Sequence, residues 1–258
     1  MFKKRERAMS GMIKVFLKRF VIVTMAPSMR SPSGLTGWFA RKMMQSANPE
    51  STRFAIQHRL HLKDTDVFVE LGAGEGAGLL AATTPLADAT CTATIPSIIH
   101  LVEISDAMRV ELERVVAEDL PEAVRASTTI HVHGDDCIRM SYLDDDSVDK
   151  IFAMNVVYFL DPLPDYLSEI HRVLKPGTGE IVWGCKFDKV PQDNNVFVNV
   201  KEDDVVMMMK EAGFDVTATP IDVVAGSAVA ASADAAAAEN TLSKDMRNYI
   251  EIRGRKIQ

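Results

Sequence analysis

The chain has 258 residues, 47% of them hydrophobic, and a formal net charge of −7. This length suits one α/β domain with tails, and the excess of acidic residues argues against a nucleic-acid-binding surface. Three cysteines lie far apart, which favours reduced thiols in an intracellular protein over a disulfide framework or a zinc site. No run of about 18 apolar residues occurs, so the sequence predicts no transmembrane helix.

Residues 1–34 differ from the rest of the chain. The first 30 hold eight lysines and arginines against one acid, Glu6, and Met12–Val23 mixes apolar with basic side chains. Such a basic amphipathic segment is typical of an organelle presequence or of a helix that makes peripheral membrane contact. A basic tail with neither role is the alternative. The predicted location is therefore cytoplasmic or mitochondrial.

The stretch Val67–Gly78 (VFVELGAGEGAG) runs from an apolar strand through alternate glycines into a helix that begins near Ala77. Glycines allow close approach to the backbone, and a helix N-terminus offers free N–H groups, so the stretch suits an adenosine-type cofactor. Its G-x-G-x-G spacing differs from the G-x-G-x-x-G of dinucleotide folds, and no P-loop Gly-Lys-Ser/Thr follows. Glu70 closes the strand at the edge where open α/β sheets bind ligands.

Two later strands also run into acids. Ile98–Val102 is followed by Glu103, whose carboxylate can accept hydrogen bonds from both hydroxyls of a ribose. Thr128–His133 is a third strand, and Gly134, Asp135 and Asp136 follow it. Before the first strand, Ser51 and Thr52 are predicted to cap a helix.

Two motifs in the second half are the most specific in the chain: DKIFAMNVVYFLDP from Asp149, and LSEIHRVLKPGTGE, which ends at Glu180. With E-L-G-A-G-E-G and Glu103, they resemble the class I S-adenosylmethionine-dependent methyltransferases. The closest likeness is to the small-molecule branch related to the ubiquinone/menaquinone enzymes (methyltransferase type 11). The resemblance covers roughly residues 64–184.

The resemblance implies an α/β fold of the Rossmann-like, doubly wound type. Its mostly parallel sheet would have seven strands in the order 3-2-1-4-5-7-6, with helices on both faces. The domain would span residues 35–258, with leading helices at 35–61 and an Ala-rich insertion at 225–243. In this family the leading helices commonly lie over the site, so Met43, Met44 and Asn48 are candidates to line it.

The resemblance also implies S-adenosyl-L-methionine as the cofactor and assigns parts of it to particular residues. Glu103 would hold the ribose, Ile104 would pack on the adenine, and Asp135, with Asp136 as the alternative, would bind the adenine amino group. Asn155 would face the methyl region. The methionine end would be held by Glu70, Gly72, Ala73, Gly74 and Gly76.

The predicted function is methyl transfer to a small molecule, which is lipid-like, quinone-like or another metabolite. Displacement at a sulfonium needs few acid or base groups, so no catalytic triad is expected. Tyr158 is the candidate base for a hydroxyl or amine acceptor, whereas His171 matches a structural helix of the family. Two alternatives remain: a regulator that binds the cofactor without catalysis, and an NAD-dependent oxidoreductase.

Overall fold

The computed structural model describes residues 48–84, 94–190, 196–223, 227–228 and 248–258. The predicted N-terminal extension, residues 35–47 of the leading segment and most of the Ala-rich stretch lie outside these residues. The described strands are β1 Val67–Leu71, β2 Ile98–Val102, β3 Thr129–His133, β4 Lys150–Met154, β5 Glu180–Cys185, β6 Phe214–Asp222, β7 Ser227–Ala228 and β8 Tyr249–Lys256. The described α-helices are α1 Pro49–Phe54, α2 Ala77–Thr83, α3 Asp106–Arg114, α4 Glu122–Ser127, α5 Leu163–Val173 and α6 Glu202–Glu211. One π-helical turn, Ala55–Arg59, continues α1, and another, Val115–Asp119, continues α3; Val157–Phe159 and Phe187–Lys189 are short 3-10 helices.

The strands form one sheet in the order β3-β2-β1-β4-β5-β8-β6-β7. Pairing is parallel from β3 to β5 and antiparallel where β8 pairs with β5 and β6. Without the two-residue β7, the seven longer strands follow the order 3-2-1-4-5-7-6, so the predicted fold class is confirmed. None of the described helices has the length and apolar character needed to cross a bilayer.

The central strands are buried on both faces, which explains why they read as unbroken apolar runs. Along β4, Ile151 and Ala153 pack into one hydrophobic cluster, and Phe152 packs into the cluster on the opposite face of the sheet. Helix α5 contributes its buried stripe to the first cluster, and α2 contributes to the second. The two clusters fix the sheet in register, so its carboxyl edge has a defined shape.

Most predicted elements agree with the structure to within a few residues, and the differences have local causes. Ser51 and Thr52 lie inside α1, so the predicted cap is wrong: the helix already begins at Pro49, whose fixed φ suits a first turn. Helix α4 was missed. Pro121 disfavours helical geometry at Leu120, which is extended, and a new helix starts behind the proline.

A network of buried charges joins the segment after α1 to β8 and β5. Glu251 is 2% exposed and accepts hydrogen bonds from Arg59 Nε (3.1 Å) and Nη2 (3.0 Å), and from Arg253 Nη2 (3.2 Å). Glu180 on β5 accepts from Lys150 Nζ and Arg253 Nη1, both at 2.6 Å. Each of these acids is paired with a cation, so the network ties the segment after α1 to the sheet.

Glu251→Ala should lower the free energy of unfolding by about 2–3 kcal/mol, because it leaves two guanidinium groups without this carboxylate. The loss stays below that of a fully buried pair because the side chains of Arg59 and Arg253 are 28% and 20% exposed. Urea unfolding measures the change. Glu211→Ala, on the exposed end of α6, is the control and should change stability by less than about 0.5 kcal/mol; equal effects of the two variants would contradict the structural role of Glu251.

Candidate active site

A cavity of about 360 Å³ opens at the carboxyl ends of β1, β2 and β4. It is covered on one side by the start of α1, through Asn48, Pro49 and Thr52. The predicted site residues that line it are Glu70, Gly72, Ala73, Gly74, Glu103, Ile104, Asp136 and Asn155. Three predicted residues do not line it: Gly76, Asp135 and Tyr158. Of the leading segment, Asn48 lines the cavity, and Met43 and Met44 lie outside the described residues.

The glycine-rich loop joins β1 to α2 as a tight turn, and its first amides point toward the end of β2. Gly72 and Ala73 donate N–H groups to the carbonyl oxygen of Val102 at 2.8 and 3.1 Å. Gly72 has φ of 66°, and a Cβ there would come 2.5 Å from Val156 Cγ2. This position therefore requires glycine for both conformation and space.

Glu70 is 4% exposed, lines the cavity, and its Oε2 has no hydrogen-bond partner in the structure. A Cβ at Gly78 would overlap this carboxyl group, so the fourth glycine of the motif makes room for Glu70. Burial raises the pKa of Glu70 to about 8, with the neighbouring Glu103 as the second cause. A buried, unpartnered carboxyl group beside a cavity is a site that a cationic ligand group would complete.

Glu103 is 5% exposed and shares its two oxygens between two backbone donors. Oε2 accepts from Gly74 N at 2.9 Å, and Oε1 accepts from Ser105 N at 2.8 Å. Burial raises the pKa of Glu103, and the two N–H groups and Arg109 oppose that rise. Glu103 therefore holds the glycine-rich loop against the end of β2 and keeps lone pairs that face the cavity.

Of the two adjacent acids after β3, the structure places Asp136 on the cavity and leaves Asp135 away from it. Asp136 Oδ1 accepts from Ile138 N at 3.1 Å, and Oδ2 accepts from Tyr166 Oη at 3.1 Å. These two bonds turn the Asp136 side chain toward α5 and the cavity. The geometry therefore favours Asp136, the alternative, over Asp135 as the acid that would reach a ligand in the cavity.

Gly76 and Tyr158 have other roles. Gly76, with φ of 91°, ends the loop before α2, donates its N–H to Ala73 O at 3.0 Å, and packs against Leu112. Tyr158 is 2% exposed; its hydroxyl accepts the Lys186 N–H and lies 3.4 Å from Asn155 Oδ1. Burial raises the pKa of Tyr158 well above 10, so the hydroxyl stays protonated at neutral pH and is not available as a base. The candidate catalytic role of Tyr158 is not supported.

Asn155 follows β4 in a left-handed conformation, with φ of 58°. Its Nδ2 donates to Asn48 Oδ1 at 2.9 Å, and its backbone N–H donates to Gly184 O at 2.7 Å. The contact joins the start of α1 to the end of β4 across the cavity. Non-glycine residues in this conformation are often found where a site constrains the backbone.

The sequence reasoning missed several lining residues, most of them apolar or aromatic. The additional positions include Met108, Cys137, Met154, Val156, Phe159, Leu160 and Tyr166. One signal could have identified Met108: it is an apolar residue in the first turn of a helix whose N-terminus faces the cavity. Tyr166 and Phe159 carry no such signal, because apolar residues at helical spacing predict core packing equally well.

The histidines of the sheet form a separate cluster. The ring of His100 stacks on those of His131 and His133, and Tyr142 stacks on His133. Burial and the neighbouring histidines lower the pKa of His100 to about 4. In the part of the chain that the structure describes, no group of three or more His, Cys, Asp or Glu side chains is placed to hold a metal ion. His171 packs edge-on against Phe214, in keeping with a structural role.

The comparisons with known proteins agree with this geometry. Residues 69–181 match a family model described as a methyltransferase domain. The fold resembles the methyltransferase in a complex with the Trm112 activator of Haloferax volcanii (TM-score 0.62, 17% identity, 84% of this chain and 94% of that chain). It also resembles the [4+2]-cyclase SpnF (TM-score 0.56, 17% identity, 81% of this chain and 81% of that chain). A third similar structure is a geranyl diphosphate C-methyltransferase of Streptomyces coelicolor (TM-score 0.53, 18% identity, 80% of this chain and 77% of that chain). No curated protein matches the sequence.

The fold is that of the class I, S-adenosylmethionine-dependent methyltransferases. The match of residues 69–181 to a methyltransferase domain agrees with the cofactor predicted from the sequence, S-adenosyl-L-methionine.

The residues present fit this cofactor. The unpartnered Glu70 oxygen suits the ammonium group of the methionine moiety, and Glu103 offers lone pairs to ribose hydroxyls. Ile104 is 38% exposed, and Met108 lines the same cavity, so both offer apolar surface to a flat ring. Asp136 is the polar group available at that end. These assignments are predictions about residues, and binding measurements test them.

Glu70→Gln should stabilise the protein without ligand in a pH-dependent manner. The folded state holds the Glu70 proton more tightly than the unfolded chain, so stability falls as the pH rises from the ordinary carboxyl value of 4.5 toward about 8. Glutamine abolishes this loss. The melting temperatures of variant and wild type should nearly coincide near pH 4.5 and differ by several degrees near pH 8, in favour of the variant.

Thermal unfolding across that pH range measures the difference, and a constant offset between the two proteins would contradict the raised pKa. The same variant should bind S-adenosylmethionine more weakly, because it lacks the carboxylate that meets the cation. A variant that is both more stable and weaker in binding would identify Glu70 as a ligand-binding group.

Proposed function

We propose that this protein is an enzyme that transfers a methyl group from S-adenosylmethionine to a small, largely apolar molecule. The observation that carries the proposal is the buried Glu70 oxygen without a partner, beside Glu103 on one cavity wall. Two acids that both face a cavity favour a ligand with positive charge. S-adenosylmethionine carries an ammonium group and a sulfonium, and when bound it supplies the methyl group to be transferred.

The rest of the cavity supports a small apolar acceptor. Beyond the residues assigned to the cofactor, the wall is formed by Met154, Val156, Phe159 and Leu160. Phe159 packs against Phe197, with ring centroids 5.1 Å apart, so aromatic surface continues behind the wall. Lipid-like acceptors also occur on this fold, as in the geranyl diphosphate C-methyltransferase. This chain would then bind, align and shield the reactants from water, which is most of what the reaction needs.

The alternative is a cofactor-binding protein that does not transfer the methyl group. The [4+2]-cyclase SpnF shares the fold, so the fold by itself does not determine the reaction. Calorimetry with S-adenosylmethionine, S-adenosylhomocysteine and NAD separates the classes. Binding of the first two supports the proposal, and tight NAD binding alone refutes it. Release of S-adenosylhomocysteine in a screen of quinols, phenols and lipids supports an enzyme; binding without any turnover favours a regulator.

Glu103→Gln should weaken S-adenosylmethionine binding by about 1–3 kcal/mol, measured by calorimetry. The amide keeps one oxygen for a backbone N–H, but its NH₂ group cannot accept from the second donor or from a ribose hydroxyl. Glu113→Gln, on an exposed position of α3, is the matched control and should bind as the wild type does. Unchanged affinity in the Glu103 variant would remove the ribose assignment.

We further propose that the domain spans residues 35–258 and that the basic N-terminal segment gives peripheral membrane contact. The eight basic residues before position 31 support this, because they would meet anionic lipid headgroups. Vesicles containing phosphatidylserine should bind the full chain but should not bind a chain that starts at Met29. Equal behaviour of the two chains would refute the membrane role and leave a presequence, or a basic tail with neither role, as the explanation.

A further inference from the structure

Lys186 follows β5 directly and is 3% exposed, which is unusual for a lysine. Its Nζ donates to Asn48 Oδ1 at 3.3 Å, and its backbone N–H donates to the Tyr158 hydroxyl. Asn48 lines the cavity, so the ammonium group lies one side chain behind the cavity wall. The methyltransferase mechanism outlined above makes no use of this buried cation.

The lysine also determines how two cavity residues are oriented. An ammonium group only donates, so Asn48 must turn its oxygen toward Lys186. The same oxygen accepts from Asn155 Nδ2 at 2.9 Å, which in turn sets the orientation of the Asn155 amide. The result is a cross-cavity arrangement of Lys186, Asn48 and Asn155 in which the Asn48 oxygen is occupied and its NH₂ group remains as a donor.

The two ends of the cavity therefore differ in the charge that surrounds them. Glu70 and Glu103 stand at the end of β1 and β2, and Lys186 stands behind the wall at the ends of β4 and β5. Charges in a poorly solvated interior act over longer distances than charges in water. A ligand group with negative charge is favoured near Lys186, and a cationic amine is disfavoured there.

We propose that Lys186 is a positioning and specificity-determining residue that makes the acceptor end of the cavity select a small molecule with an ionised oxygen, such as a carboxylate, phenolate or enolate. This inference rests on the proposed methyltransferase function and narrows its acceptor class. An acceptor that binds as the anion brings its own nucleophilic electron pair. That agrees with the buried Tyr158 hydroxyl, which stays protonated and is not available as a base.

The test uses full-length protein saturated with S-adenosylhomocysteine and three probes with the same ring: benzoate, benzyl alcohol and benzylamine. Saturation-transfer NMR titrations measure their affinities. In the wild type, benzoate should bind about tenfold more tightly than benzyl alcohol, and benzylamine most weakly. In Lys186→Met the three affinities should agree to within about a factor of two. The absence of a benzoate preference in the wild type, or its persistence in the variant, overturns the proposal.

Two further variants keep the result interpretable. Lys186→Gln keeps a hydrogen-bond donor for Asn48 but removes the charge, and it should also abolish the benzoate preference, which covers the case that Lys186→Met does not fold. Lys201→Met removes an exposed lysine before α6 and should keep the preference. S-adenosylhomocysteine is titrated first in each protein. If the wild type fails to bind it, the proposed function fails; if it binds and the probes show no charge preference, only the role of Lys186 fails.

Discussion

The parallel pairing of β1 with β2 is the constraint on which the site depends. It aligns Glu70 with Leu101, and it brings the ends of both strands to one edge. Glu70 and Glu103 then face the same cavity from neighbouring strands, although two buried acids of like charge destabilise each other. The glycine-rich loop makes this arrangement feasible, because Gly74 donates to Glu103 and Gly78 leaves space for Glu70.

Strand positions were predictable from the apolar runs along the chain, whereas the sheet order came from the resemblance to the methyltransferase family. The strand β2 was predicted with its observed bounds and β1 to within one residue, since an apolar run buried on both faces has clear ends. Ser51 and Thr52 were predicted to cap α1, because they are common capping residues, but Pro49 begins the helix before them. The shape of such a short segment depends on packing that the sequence does not show.

The residues at strand ends were harder to assign, because a loop has no periodicity that fixes where a side chain lies. Asp135 and Asp136 are adjacent and chemically equal, and only the bonds of Asp136 to Ile138 and Tyr166 show which one reaches the cavity. Likewise, the short turn after Asn155 buries Tyr158 and brings Phe159 to the wall. Both outcomes follow from tertiary contacts.

The raised pKa of Glu70 has a consequence for the life of the protein in a cell. A carboxyl group that weakens the empty fold, and that a cationic ligand would neutralise, links occupancy to resistance against unfolding. Proteases act on transiently open chains, so molecules without ligand would be degraded sooner. The abundance of the protein would then follow the supply of its methyl donor, and starvation for that metabolite would shorten its half-life.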